Sequence, residues 1–275
     1  MVKERVLIGY QGEPGAYSEE AILTHYDPYA ETVPYESFHS LLKAVEKDEV
    51  VYGLLPVENS LTDTIWEAYE LLIESTVKPC REIIHRIRHY LMCSPEVDKI
   101  TKVYSHPEAL KQCNKFLSSQ GYVTLPEIDT AASARKLKEG KLEKDAGVIA
   151  SERAAKIYGL KILTRGIADN PENYTRFFLV GKKDAPFIGN DKTSLVFELP
   201  HVAGSLHRVT SVFAERKINM TKLQSRRIVG KPWEYRFILD CEGHREDDVL
   251  KSALEELEKI TSNLKVLGSY PKAIL

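Results

Sequence analysis

The run Asn173-Tyr174-Thr175-Arg176-Phe177-Phe178-Leu179-Val180 puts two polar groups at the start of an apolar strand. The two-residue period of an extended chain sets Thr175, Phe177 and Leu179 on one side and Arg176, Phe178 and Val180 on the other. A hydroxyl and a guanidinium there could act as a hydrogen-bond donor and an anion anchor at a cleft. A threonine present for its β propensity and an arginine paired to a neighbouring acid would leave the same pattern. Three further polar stretches, Gly12–Ser18, Glu58–Ser60 and Ser105-His106, each follow an apolar run and open a helical one. In open α/β sheets ligands gather at the carboxyl ends of strands, where helix N-termini offer free N–H groups and positive dipole ends. A small carboxylate suits that pattern, although each loop taken singly also needs glycine and a cap for purely structural reasons.

Other chemistries are excluded by spacing. Gly9, Gly12 and Gly15 are spaced G-x-x-G-x-x-G, which is not the dinucleotide fingerprint. There is no phosphate-loop GK[ST], no HExxH and no sequence-local nucleophile elbow. His106 before Pro107 reads as a turn residue, because no second histidine stands at ligand spacing. Arg81, His85, Arg86, Arg88 and His89 form a basic cluster whose alternation over Ile84, Arg86 and Arg88 reads as a solvated strand face. Lys and Arg total 38 against 40 Asp and Glu, a net charge of −2, so bulk charge does not favour nucleic acid. No stretch of 18 apolar residues exists, which argues against a membrane span. The start, MVKERVLIGYQGEPG, has no long apolar region followed by a small-residue cleavage site. Cys80, Cys93, Cys113 and Cys241 form no CxxC pair, as expected of reduced thiols in a cytoplasm, and give no zinc framework for a metal.

The elements that must position these residues follow from periodicity. At 275 residues with 43% hydrophobic and 28% charged residues, two globular domains are expected. A buried strand is expected over residues 5–10, then a helix capped by Ser18. Ser37 should cap a helix whose Phe38, Leu41, Leu42 and Val45 share one face. Val51–Leu55 reads as a strand ended by Pro56, and Asp63–Glu74 as a helix. Strand and helix alternate again over Lys102–Ser105, Glu108–Leu117, Tyr122–Leu125, Thr130–Lys138, Ala146–Ala150 and Ser151–Tyr158, with further strands at Leu160–Leu163 and Tyr174–Val180. This order predicts an α/β fold with parallel sheets covered on both faces. Cys80–Met92 is less regular and reads as chain crossing between two lobes. Residues 183–192, within the polar stretch KKDAPFIGNDK, read as a linker. Beyond it lie a strand Ser194–Leu199, a helix Ser205–Arg216, a strand Met220–Ile228, a turn at Val229-Gly230-Lys231-Pro232, a strand Trp233–Cys241, a helix Asp247–Ile260 and a strand Leu264–Leu267. That βαββαβ order is the ferredoxin-like motif.

Together these segments resemble one family over nearly the whole chain. GEPGAYSEEA (Gly12–Ala21), LPVENS (Leu55–Ser60), SHPEAL (Ser105–Leu110), DTAASA (Asp129–Ala134), GVIAS (Gly147–Ser151) and NYTRF (Asn173–Phe177) are similar to prephenate dehydratases. GSLHRV, INMTKLQSR, WEYRFILD and LGSYP resemble the ACT regulatory domain that follows in such enzymes.

The resemblance implies a two-lobed catalytic domain like a type 2 periplasmic binding protein over residues 1–182. Its first lobe would take about residues 1–77 and 164–181, its second about 80–162, and an ACT domain would cover residues 193–275. It implies conversion of prephenate to phenylpyruvate, water and carbon dioxide without a cofactor. Thr175 would be the key catalytic residue, with Arg176 orienting the strand end or a carboxylate and Phe177 shaping the pocket. Ala16, Tyr17, Ser18, Asn59, Ser60, Ser105 and Thr130 would contact the substrate's carboxylates and hydroxyl. The ACT domain implies L-phenylalanine as allosteric effector, bound by Ala203, Gly204, Ser205, Leu206, Asn219, Met220, Gln224, Ser225 and Arg226 in a homo-oligomer, dimer or tetramer. This chain departs from the family where alanine becomes Ser205, glutamate becomes Gln224 and proline becomes Arg227. The segment Leu61-Thr62-Asp63-Thr64 lacks the glycine common after Glu-Asn-Ser. Arogenate, with an amino group in place of the keto oxygen, is the rival substrate, and a non-catalytic sensor of aromatic acids the rival class.

Overall fold

The computed structural model describes residues 6–228, 230–231 and 233–273. Arg5, Val229 and Pro232, which the sequence pattern assigns to the first strand and to a turn, lie outside them. Packing divides the chain into two compact units. The first runs to Ala68 and resumes over Ile83–Phe177, and the second takes Tyr69–Glu82 and everything from Phe178 on.

The chain opens with β1 (Leu7–Gln11), α1 (Tyr17–His25), β2 (Glu31–Tyr35), α2 (Phe38–Glu46), β3 (Tyr52–Asn59), the short β4 (Asp63–Thr64), α3 (Trp66–Glu74) and β5 (Lys78–Arg86). Next come β6 (Tyr90–Cys93), β7 (Lys102–Ser105), α4 (Pro107–Gln112), α5 (Asn114–Ser119), β8 (Val123–Pro126), α6 (Thr130–Lys138), β9 (Ala146–Ala150), α7 (Glu152–Tyr158) and β10 (Lys161–Arg165). The chain then returns in β11 (Tyr174–Gly181). One sheet has the order β2-β1-β3-β11-β5, with β4 on β3, and a second has β10-β6-β9-β7-β8. Residues 87–89 and 166–173 are therefore two crossings between sheets. Two α/β sheets are thus joined by two crossings, and the irregular Cys80–Met92 segment holds one of them.

Local chemistry explains the elements. Gly9 and Gly53 pair across β1 and β3 beneath Leu41 of α2; a Cβ at Gly9 would stand 2.6 Å from Leu41 Cδ1. Ser37 closes a capping box with Ser40, and Leu41, Leu42 and Val45 are buried as their spacing requires.

Several expectations change. The sheets are mixed rather than parallel, since β6 runs antiparallel to both β9 and β10. A strand reached by a crossing, with no βαβ helix before it, is free to run either way. Pro56 does not end β3: the pairing with β1 runs to Leu54, so the missing N–H falls beyond that ladder. Ala16 is the N-cap residue of α1 and Ser18 its second residue. Cys113, at φ −114°, splits Glu108–Leu117 into α4 and α5. Asp63–Glu74 begins as β4 before α3, and β2, which carries Pro34, has no counterpart in the sequence pattern.

In the second unit, β12 (Asp191–Leu199), α8 (Ser205–Glu215), β13 (Met220–Arg227), β14 (Tyr235–Glu242), α9 (Asp248–Ile260) and β15 (Ser262–Pro271) form the expected βαββαβ domain. The strand order is β13-β14-β12-β15. Leu195, Phe197, Leu239, Val209, Phe213, Leu250 and Leu257 make one core between sheet and helices. The segment Tyr69–Glu82 packs with this domain. Lys265 Nζ donates to the carbonyls of Leu72 (3.2 Å), Ile73 (2.5 Å) and Ser75 (3.2 Å) at the end of α3. Buried Glu82 pairs with Lys192 at 2.9 Å, and Phe178 packs against Tyr69 and Tyr270.

Candidate active site

Thr175 is the second residue of β11, and Asn59 is the last residue of the neighbouring β3. Asn59 Oδ1 accepts the N–H groups of Leu61 (2.9 Å) and Thr62 (3.1 Å), a turn that fixes which way its amide points. Its Nδ2 therefore faces the opposite way, donating to Asn173 Oδ1 at 2.7 Å and to Thr175 Oγ1 at 3.0 Å. Thr175 is 8% exposed, and its hydroxyl proton meets no acceptor among the described residues. Ser60 fixes the entry to β11: its Oγ donates to the Glu172 carbonyl at 3.1 Å and accepts the Tyr174 N–H at 3.0 Å.

On the other side of β11, Arg176 Nη1 stands 3.3 Å from Glu58 Oε2, so the guanidinium is at least partly balanced by a neighbouring acid. Phe177 is 1% exposed and lies in the core beside Thr175 in the strand period.

The Asn59 amide continues into a longer network. Asn173, fully buried, donates to Gln112 Oε1 at 2.8 Å. Gln112 Oε1 also faces His89 Nε2 at 2.8 Å, and His89 Nδ1 faces the Tyr17 hydroxyl at 2.7 Å. Burial pushes the His89 pKa down against a smaller upward pull from Gln112. His85 and His89 do not belong to a solvated face: His85 is buried opposite Arg86 on β5, and His89 is buried in the crossing that follows, at 6% and 3% exposure.

The glycine-rich loop before α1 is clamped on several sides. Gly15 has φ +93°, and a Cβ there would stand 2.7 Å from the Ala154 Cα in α7. Ser151 Oγ donates to the Gly15 carbonyl at 2.6 Å, Tyr158 donates to the Pro14 carbonyl at 2.8 Å, and Arg135 grips Glu13 through two contacts of 3.0 Å. Glu19 accepts the Gly15 N–H at 2.7 Å, the Thr32 hydroxyl at 2.9 Å and the Arg153 guanidinium at 2.7 Å. Burial pushes its pKa up, but those donors together outweigh it and hold the carboxyl below its ordinary value. The result is a fixed helix N-terminus with the Tyr17 and Ser18 amides at its first turn.

Tyr17, Asn59, Ser60 and Thr175 thus belong to one hydrogen-bonded set or abut it, with Ala16 at its helix cap. Ser18 and Thr130 make no side-chain hydrogen bond among the described residues. Thr130 opens α6 behind its cap Asp129, whose carboxyl burial pushes up, with Glu13 adding to the effect. Ser105 is fully buried and donates to the Ile149 carbonyl at 2.8 Å, inside its own sheet. His106 caps α4 by accepting the Glu108 N–H at 3.2 Å, the turn role its spacing predicts. Sequence reasoning missed His89, Gln112 and the side chain of Asn173. Gln112 is the last residue of α4, the helix that His106 caps, and no local spacing in the sequence marks it. No group of three or more His, Cys, Asp or Glu among the described residues could hold a metal.

A cavity of 320 Å³ in the second unit is lined by Leu199, Val202, Ala203, Ser205, Leu206, Trp233, Tyr235 and Phe237, together with Pro200 and His201. Gly204, at φ +83°, precedes α8, and the buried Ser205 Oγ has no partner among the described residues. Asn219 precedes β13; Met220, Gln224, Ser225 and Arg226 lie on that strand, none of the five lines this cavity, and Arg226 pairs with Glu70 at 2.9 Å.

The family profile described as prephenate dehydratase matches residues 8–185, and an ACT domain profile matches residues 193–259. The bifunctional chorismate mutase/prephenate dehydratase of Aquifex aeolicus is 35% identical over all of this chain and 76% of that protein. Arogenate dehydratase/prephenate dehydratase 2 of Arabidopsis thaliana, a chloroplastic protein, is 39% identical over 97% of this chain and 73% of its own length. Among solved structures, prephenate dehydratase from Arthrobacter aurescens in complex with L-Phe superposes with a TM-score of 0.87 at 29% identity, covering 98% of this chain and 90% of that one. GqqA, described as a novel type of quorum quenching acylase, superposes with a TM-score of 0.88 at 31% identity, covering 97% of this chain and 98% of that one.

Proposed function

Because this chain belongs to the prephenate dehydratase family, we propose that it converts prephenate to phenylpyruvate, water and carbon dioxide on the way to phenylalanine. In this reaction the bond to the ring carboxylate breaks and carbon dioxide leaves. The electron pair enters the ring, and the ring hydroxyl takes up a proton and departs as water. Aromatisation drives the step, so the protein must bind a dianion, assist the leaving hydroxyl and keep the reacting carboxylate poorly solvated.

One observation carries the reading: the Asn59 amide occupies a lone pair of Thr175 Oγ1 while the threonine proton meets no acceptor among the described residues. A threonine hydroxyl is a weak acid, so its part is a hydrogen bond to the departing oxygen rather than full proton loss. The α1 N-terminus, with Ala16, Tyr17 and Ser18, suits a substrate carboxylate, with Thr130 and Ser60 as further polar contacts. Arg176 orients the start of β11, Phe177 shapes the pocket behind Thr175, and Ser105 supports the second sheet's strand ends. Thr175→Ala leaves Asn59 its Asn173 and Tyr174 acceptors. That variant is expected to keep its melting temperature and lose about a hundredfold or more in kcat. Near-native turnover would overturn the assignment.

Arogenate is the second reading, favoured by the 39% identity to a relative whose name carries both activities. Parallel assays on the two substrates decide it. L-Phenylalanine is the proposed effector. The 320 Å³ cavity supports this with aromatic walls for its ring and the α8 N-terminus with Ser205 for its carboxylate. The edge strands β13 and β15 favour pairing into a homo-oligomer, and a reduced cytoplasmic setting suits the four unpaired cysteines.

A further inference from the structure

We propose that His89 is a positioning residue for the Thr175 hydroxyl, acting through Gln112, Asn173 and Asn59. This rests on the role of Thr175 argued above. His89 ends the first crossing between the two sheets, and its carbonyl accepts the Ile167 N–H of the second crossing at 3.2 Å. Both ring nitrogens are engaged, one by Tyr17 at the start of α1 and one by Gln112 at the end of α4.

The polarity of each link from Asn59 to His89 Nε2 follows from two backbone N–H groups. Leu61 and Thr62 fix Asn59 Oδ1, so Asn59 Nδ2 must face Asn173 and Thr175. The Asn173 atom turned to it must then be oxygen, which sends the Asn173 amide nitrogen toward Gln112. The Gln112 atom receiving it must be oxygen, so the His89 nitrogen facing that same oxygen must carry a proton. His89 thus carries a proton on Nε2; the Tyr17 hydroxyl lies 2.7 Å from His89 Nδ1 and 3.1 Å from the Arg88 carbonyl, and it donates to Nδ1 when the ring is neutral. Burial of the ring, which disfavours its charged form, agrees with this assignment.

The network cannot pass a proton from His89 to Thr175, because three carboxamides intervene. It acts by orientation. Without the imidazole donor, Asn173 alone among the described residues holds the Gln112 amide in place. If Gln112 turns over, its NH2 meets the Asn173 NH2, and the repulsion passes on to Asn59 and frees Thr175 Oγ1.

The test has a spectroscopic and a kinetic arm. In protein carrying 15N-labelled histidine, the His89 signals are assigned by their loss in His89→Gln. They are expected to report a neutral, Nε2-protonated ring near neutral pH. A charged or Nδ1-protonated ring overturns the proposal whatever the protein turns over. With prephenate or arogenate, whichever the native protein accepts, His89→Leu is expected to lower kcat about tenfold or more while KM stays within about threefold. His89→Gln, whose amide N–H can reach the same acceptor, is expected to recover kcat to within about threefold of native. Native kcat in His89→Leu, or a loss that His89→Gln does not recover, overturns the proposal. Failure of the native protein on both substrates counts instead against the functional reading and is seen before any variant is made.

Discussion

Glu19 is 4% exposed yet charged, and its three donors come from Gly15, Thr32 and Arg153. Its folded pKa lies below the unfolded value, so its contribution to stability is present above about pH 4.3 and is lost as pH falls through the folded value. Glu19→Gln is expected to cost about 2 kcal/mol at neutral pH, because Arg153 stays partly exposed and so is not left fully buried and unpaired. Urea unfolding of both proteins at pH 7 and below pH 4 checks this, since the gap should narrow in acid. A gap that does not change with pH would place the effect elsewhere. Sequence spacing marks Glu19 as a first-turn acid, a role shared with Glu20. The clamp itself is not legible there, since Arg153 is 134 residues away. The same limit applies to the proposed catalytic set. Thr175, Asn59, Ser60 and Tyr17 stand out because their motifs open loops or interrupt apolar strands. His89 and Gln112 look like ordinary surface-strand and helix residues until the fold joins them.

At the level of elements, the α1 N-terminus is placed by a backbone-to-backbone approach at Gly15. Two glycine variants separate the causes. Gly166 has φ +64° with nothing within 4 Å of a built Cβ, so Gly166→Ala carries only the left-handed backbone cost, about 1 kcal/mol. Gly15→Ala adds a clash with the Ala154 backbone and is expected to cost about 3 kcal/mol or more, with a fall in kcat as α1 shifts. Equal melting temperatures for the two variants would show that the loop yields at no cost. Strong amphipathic helices such as α2 and α9, and the βαββαβ order, were legible from period and caps. Strand limits were not. Pro34 masks β2, and Pro56 suggests an end to β3 where only its pairing with β1 ends. The antiparallel β6 depends on a crossing whose direction no local pattern encodes.

At the scale of the whole molecule, α3, β5 and β11 each pass from one unit into the other. The residues proposed for chemistry, Thr175 and Arg176, lie two or three positions before Phe178, which packs among Tyr69 and Tyr270 in the second unit. An effector can act only by binding one state of the protein better than another. Ser205 makes that testable. Its Oγ is buried without a partner among the described residues, so Ser205→Ala should leave stability unchanged or slightly raised. The same variant should weaken inhibition by L-phenylalanine about tenfold if the hydroxyl meets the ligand. Inhibition curves for native and variant protein, set beside their melting temperatures, check both halves. Unchanged inhibition would move the effector away from the 320 Å³ cavity.

The shared strand β11 also sets the terms on which this chain can be recombined. Residues 69–82 and 178–185 lie inside the catalytic family's match but pack with the other unit. A graft cut at the polar stretch near residue 183 would carry away one half of a core and leave Tyr69 and Phe178 facing water. A regulatory module borrowed from a relative would have to bring its own versions of both segments, so the natural unit of exchange here is discontinuous in sequence.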